Sequence, residues 1–206
     1  MPPAAGGTPG GVRSQPARRP KLPDDSPSRR PPRPVTPAVL DRMALAYLER
    51  FASSSENLRR VLARKVERRC RLRGEAPEAA LALVEEAVAR AVRGGLVDDA
   101  AYAQGRVASL RRRGGSRRAI AARLSAKGVA PETIDAALAG DAEARVADDP
   151  DADPEMEAAL ALARRRRLGP FRTAARAENR ERDLARLARA GFSYGVARAV
   201  VDAQDG

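Results

Sequence analysis

Among the adjacent carboxylates, the pairs Asp98-Asp99, Glu85-Glu86 and Asp148-Asp149, with one acidic run, GDAEARVADDPDADPE at 140–155, are the groups that invite a reading of proton transfer or metal binding. None has the partners such chemistry needs. Neighbouring side chains at a helix start point in different directions, and Asp98 is better explained as an N-cap whose carboxylate accepts from free backbone N–H groups. The acidic run lacks the central glycine turn and closing bidentate glutamate of a calcium loop. Histidine is absent, which removes the usual general base and the commonest metal ligand. The single cysteine, Cys70, forms neither an internal disulfide nor a zinc knuckle. No glycine-rich phosphate loop is present. The reading is a protein without catalytic residues, metal or cofactor.

Cations carry more information. There are 39 Lys and Arg against 27 Asp and Glu, a formal net charge of +12, and charge of this sign and size favours encounter with polyanions. Two clusters stand out. Arg111, Arg112, Arg113, Arg117, Arg118, Arg123 and Lys127 crowd the junction of two expected helices, and Arg164, Arg165, Arg166 and Arg167 end a third. Cations at such junctions converge on phosphates or on a carboxylate-rich surface. Three Tyr, three Phe and no Trp leave few stacking platforms, so any nucleic-acid contact is expected to be electrostatic. The plain alternative is that surface cations are spelled as arginine by genome composition.

The elements that position these residues are read from stop and start signals. Between Gly94 and Leu138 three helices follow one another: about 99–112 behind Asp98, a second from Ser116 to the left-handed exit at Gly128, and a third opening at Pro131 with Ile134, Ala137 and Leu138 inward. Each is too short to be stable alone, which calls for an internal repeat. Laying Gly128 on Gly191 puts Leu124 on Leu187, Val129 on Phe192, Ala137 on Val200 and Leu138 on Val201. A fainter copy lies upstream, where Leu58 and Leu62 correspond to Ile120 and Leu124. The fold class is all-α, an elongated tandem array of three-helix repeats. Its expected division is a disordered, basic, Pro-rich tail at 1–36, repeat 1 at 37–94, repeat 2 at 95–140, an acidic linker at 141–154 and repeat 3 at 155–206.

The tail holds seven cations against Asp24 and Asp25 and has almost no apolar periodicity. From Thr36-Pro37 the pattern changes to Val39, Leu40, Met43, Tyr47, Leu48 and Phe51, an amphipathic helix with Thr36 as its cap. No apolar run is long enough to span a membrane, and the N-terminus lacks the apolar stretch of a signal peptide, so the expected compartment is the cytoplasm.

The combination of GLVDDAAYA at 95–103, RRRGGSRRAIAARLSAKGV at 111–129, ALALARRRRLGPFR at 159–172 and RDLARLARAGFSYGVARAVVD at 182–202 resembles the RecX regulatory proteins of bacteria, over about 38–202. The Pro-rich leader has no counterpart in that pattern. The resemblance implies a non-enzymatic regulator, mainly an inhibitor, of the RecA recombinase. Such proteins are elongated helical arrays that lie in the groove of the RecA–DNA filament and bridge its subunits. There they modulate ATP hydrolysis, strand exchange and RecA-promoted repressor cleavage. The clustered cations named above would then face the RecA filament or its DNA, and the regulator itself is expected to be a monomer. Two other readings are a general DNA-binding helical module that acts without RecA, and a scaffold that binds neither.

Overall fold

The computed structural model describes residues 32–204. Most of the predicted tail lies outside them. The described end of that tail, 32–36, is tied down: Arg69 Nε donates to the Arg33 carbonyl at 2.5 Å and Arg73 Nη1 to the Pro32 carbonyl at 2.8 Å. Among the described residues there are nine α-helices, one 3-10 turn and no strand. The helices are α1 (Pro37–Leu48), α2 (Ser55–Arg73), α3 (Glu78–Arg93), α4 (Asp99–Arg112), α5 (Arg117–Ala126), α6 (Pro131–Asp148), α7 (Pro154–Arg166), α8 (Arg176–Arg189) and α9 (Tyr194–Asp202). The turn, Gly169–Phe171, precedes α8.

They form three three-helix repeats, in each of which the first helix packs on the third: α1 on α3, α4 on α6, α7 on α9. Each repeat has its own apolar core. Leu40, Leu58, Leu62, Val66 and Val84 fill the first, Val107, Ile120, Leu124 and Leu138 the second, and Ala159, Leu168, Leu187, Val200 and Val201 the third. The helix starts obey local chemistry. Thr36 accepts from the Val39 N–H ahead of Pro37, Asp98 from those of Ala100 and Ala101, and Ser116 from that of Ala119.

One expected boundary fails. The acidic stretch at 141–148 is not a linker but the last turns of α6, leaving only 149–153 as a connection. One of its acids is matched by arginine: Asp141 pairs with Arg145 one turn on at 3.1 Å, and Arg145 also reaches Glu157 of α7 at 2.7 Å. The pair within the helix supports it, and the second contact ties it to α7.

The joints between repeats share one design. Ser54, the cap of α2, accepts from the Asn57 N–H and donates its hydroxyl to the carbonyl of Lys127 at the end of α5, at 2.5 Å. Ser116, the cap of α5, accepts from the Ala119 N–H and donates to the carbonyl of Ala190 at the end of α8, at 2.7 Å. Beside each serine, the next residue's N–H is taken by a carboxylate from the following repeat: Ser55 by Asp99 at 2.7 Å, Arg117 by Glu155 at 3.2 Å. The second helices therefore meet end to end. Gly191, at φ +95°, is required at this contact, because a Cβ there would stand 2.5 Å from Ser116 Oγ.

Candidate functional site

The seam between repeats 2 and 3 positions the cations singled out in the sequence. Helix α4 ends against α7 so closely that a Cβ on Gly114 would lie 2.6 Å from the Leu162 backbone nitrogen, and Gly114 adopts a left-handed φ of +77°. Only glycine fits both demands. The reversal carries Arg113 to the mouth of a cavity of about 430 Å³ lined by Leu110, Ile120 and Leu162 at its base. Arg123 of α5, Arg165 and Arg166 of α7 and Arg189 of α8 complete the rim. A neighbouring cleft of about 540 Å³ shares Leu162, Arg166, Arg189 and Ala190 and adds Arg186. No acidic side chain lines either one.

Arg113, Arg123, Arg165 and Arg166 have no hydrogen-bond or ion-pair partner among the described residues and are exposed. Arg189 donates only to the Ala185 carbonyl of its own helix, at 3.1 Å. Arg186 has a single distant carboxylate, Asp183 at 3.8 Å. That carboxylate is committed elsewhere. Asp183 is fully buried and accepts from Arg172 Nε at 2.6 Å, Arg172 Nη2 at 2.8 Å and the Gly169 N–H at 2.9 Å. Burial pushes the Asp183 carboxyl up, but the Arg172 guanidinium, the Gly169 N–H and nearby Arg186 outweigh it and hold the group below the usual carboxylate range.

The eleven cations singled out in the sequence divide sharply. Arg113, Arg123, Arg165 and Arg166 come together in the groove. Arg111 does not belong with them: it is 6% exposed and bonded to Glu155 at 2.6 Å, with Asp141 at 3.6 Å. Its place on the inward face of α4, one residue after Leu110, makes it a buried strut between repeats and unable to meet a partner. Arg117 is drawn to Asp135 at 2.9 Å, and Lys127 Nζ donates to Asn57 Oδ1 at 3.4 Å across the first joint. Arg164 lies over the Phe171 ring, 5.3 Å from its centroid, and Arg167 closes α7 in a left-handed turn. Arg112 and Arg118 are exposed, and neither lines the groove.

Arg186 and Arg189 were missed. Each lies on the outward face of a helix already dense in Arg and Glu. Only the end-to-end contact of α8 with α5, through Ser116 and the Ala190 carbonyl, brings that end of α8 to the groove. The repeat register held a signal for it, since Gly191 aligned on Gly128 fixes where α8 must stop.

The model of the second three-helix domain of RecX matches residues 98–138, which are α4, α5 and the first part of α6. A Regulatory protein RecX of Myxococcus xanthus is 47% identical over 184 residues, 87% of this chain and 94% of that protein. The chain belongs to the RecX family. A second member, the Regulatory protein RecX of Agrobacterium fabrum, is 34% identical over 154 residues, 74% of this chain and 76% of that one. No solved structure matches the chain significantly. The 94% coverage of the Myxococcus RecX protein means that the family likeness extends through all three repeats, well beyond the matched second domain. Among the described residues, no helix is long and apolar enough to cross a membrane.

Proposed function

We propose that this chain regulates the RecA recombinase, mainly as an inhibitor, by seating in the groove of the RecA–DNA filament and bridging neighbouring subunits. Occupancy there limits filament growth and with it ATP hydrolysis, strand exchange and repressor cleavage. The protein performs no reaction of its own, carries no cofactor and works in the cytoplasm as a monomer. Family membership supports the regulatory role. The observation that carries the proposal to a filament is the groove between repeats 2 and 3, where arginines from four helices or their ends converge with no acidic side chain in the lining. A cationic surface of this kind has a polyanionic partner or a carboxylate-rich one, and a RecA–DNA filament offers both. The three repeats are joined through backbone carbonyls, which gives a fixed surface for contact with more than one subunit.

The same groove also favours a second reading, a DNA-binding module that needs no RecA. Titrating the protein into DNA-dependent ATP hydrolysis by the cognate RecA separates the two. The filament reading expects inhibition well below one molecule per RecA, at a concentration that leaves bare DNA mostly free. Inhibition only once the bare DNA is saturated would replace it with the second reading.

A further inference from the structure

Phe51 is the most exposed of the three phenylalanines, at 52%, while Phe171 is half-buried and Phe192 is buried. It lies outside the apolar core of repeat 1 and packs on one ring, that of Tyr47, with centroids 5.3 Å apart. The pair is pinned at the joint between repeats 1 and 2. Asn57 Nδ2 donates to the Tyr47 hydroxyl at 2.9 Å and to Ser53 Oγ at 2.8 Å, and Asn57 Oδ1 accepts from Lys127 Nζ of the next repeat at 3.4 Å. Val61, one turn after Asn57 and one turn before Lys65, lies on the row of α2 that Tyr47 touches at both ends. The architecture does not ask for rings here. In the register that lays Leu62 on Leu124, and with it the capping Ser54 on Ser116, Phe51 falls on Arg113, Val61 on Arg123 and Tyr47 on Ser109. The second joint is made with the same kind of cap and none of these apolar groups, so the exposed phenyl of the first is surplus to the connection.

We infer that Phe51 and Tyr47, beside Val61, form a docking point for a protein segment that presents an apolar side chain between carboxylates. The docking point rests on the filament reading above and is the hold this chain takes on the RecA protein, as distinct from its DNA. Charge sets the flanks of the partner. Arg50 lies over the Phe51 ring and Lys65 over the Tyr47 ring, each 5.9 Å from the centroid, and Lys127 adjoins them through Asn57. The same turn has one carboxylate, Glu49, while Glu56 at the start of α2 is committed to Arg59 and Arg60. Three cations around an exposed ring pair complement acids on either side of an apolar anchor, and an aromatic residue of this kind is the usual centre of a protein interface. A nucleobase fits less well. Stacking needs an open ring face. Here Arg50 covers a face of Phe51, Lys65 covers a face of Tyr47, and the two rings lean on each other at 38°. The exposed part of Phe51 then offers mainly its edge, against which an apolar side chain packs.

The test is biolayer interferometry of the full chain against cognate RecA filaments assembled on an immobilised oligonucleotide, beside the same oligonucleotide bare. Phe51→Ser removes the anchor. Phe51→Arg is a second variant, which copies the residue of the second joint and so keeps the connection. Leu72→Ser, at a leucine 63% exposed near the far end of α2, is the control. Loss of an interface anchor costs at least about tenfold in affinity, so both Phe51 variants are expected to bind filaments at least about tenfold more weakly. Phe51→Leu should keep most of the affinity, and Leu72→Ser should change it by less than about twofold. Phe51→Ser should bind the bare oligonucleotide within about twofold of the unaltered chain, since no charge is removed. Arg50→Gln/Lys65→Gln should slow association with filaments about threefold at low salt. Filament binding unchanged in both Phe51 variants, or an equal loss in Leu72→Ser, would overturn the docking point. So would an equal loss by Phe51→Ser on the bare oligonucleotide, which would assign the rings to a nucleobase. The two proposals fail in different ways. An unaltered chain that binds filaments no tighter than bare DNA and leaves RecA uninhibited removes the filament reading and the docking point with it. An unaltered chain that inhibits RecA, with both Phe51 variants inhibiting equally, leaves the regulator and removes the docking point alone.

Discussion

Ser116→Ala probes the joint between repeats 2 and 3 without touching a charge. The hydroxyl is fully buried and does two things: it accepts from the Ala119 N–H at 3.1 Å, capping α5, and donates to the Ala190 carbonyl at 2.7 Å. Loss of a cap costs about 1 kcal/mol, and loss of a buried neutral hydrogen bond costs about 1 kcal/mol more. The expected destabilisation is about 2 kcal/mol, a fall of roughly 4–8 °C in melting temperature for a chain of this size. Ser193 supplies the control. It caps α9 through the Val196 N–H at 3.3 Å, is exposed and makes no bond to another repeat, so Ser193→Ala should cost at most about 1 kcal/mol. Urea unfolding followed by circular dichroism gives both values on one scale. A Ser116→Ala cost no greater than that of Ser193→Ala would refute the idea that the hydroxyl bridge couples the repeats.

Three further outcomes are expected. Arg111→Ala, which leaves the partly buried Glu155 without its cation and Asp141 with Arg145 alone, should cost about 3 kcal/mol in urea, whereas exposed Arg112→Ala should stay within about 0.5 kcal/mol. Because the folded Asp183 carboxyl titrates below its unfolded value, its contribution is present above about pH 4 and is lost as pH falls through the folded value. Urea midpoints between about pH 2 and pH 6 should fall on acidification less steeply for Asp183→Asn than for the unaltered chain. Gly191→Ala should lower the melting temperature by more than Gly105→Ala does, since Gly105 has a normal helical φ and open space at its Cβ while Gly191 has neither.

Much of the fold was legible because local chemistry set it. Thr36, Asp98 and Ser116 announced their helices through a side chain able to accept from the first turn, and Gly128 and Gly191 announced two exits. The run of α6 through 141–148 was only partly legible: the Asp141–Arg145 pair lies within one helix, but Arg111 of α4 beside Asp141 and Glu157 of α7 on Arg145 come into place only once the helices are adjacent. The candidate site divides in the same way. Clustering along the chain singled out Arg113, Arg123, Arg165 and Arg166, which the fold brings to one groove, but it could not separate them from Arg111. One residue apart on a helix is about 100° around its axis, enough to turn a cation from solvent into the interior. Arg189 reaches the groove through the joint itself, and no spacing along one helix encodes that.

The joints also say how such a molecule can lengthen or shorten in evolution. Each uses one small hydroxyl and a main-chain carbonyl that any residue supplies, so a duplicated repeat arrives with both halves of its connector already made. The start of α8 lacks one half of that connector: its N-cap is Ala175, in a left-handed turn with no side chain to accept or donate. A change of a few residues at that position, restoring a serine and an extended entry, would recreate a receiving end.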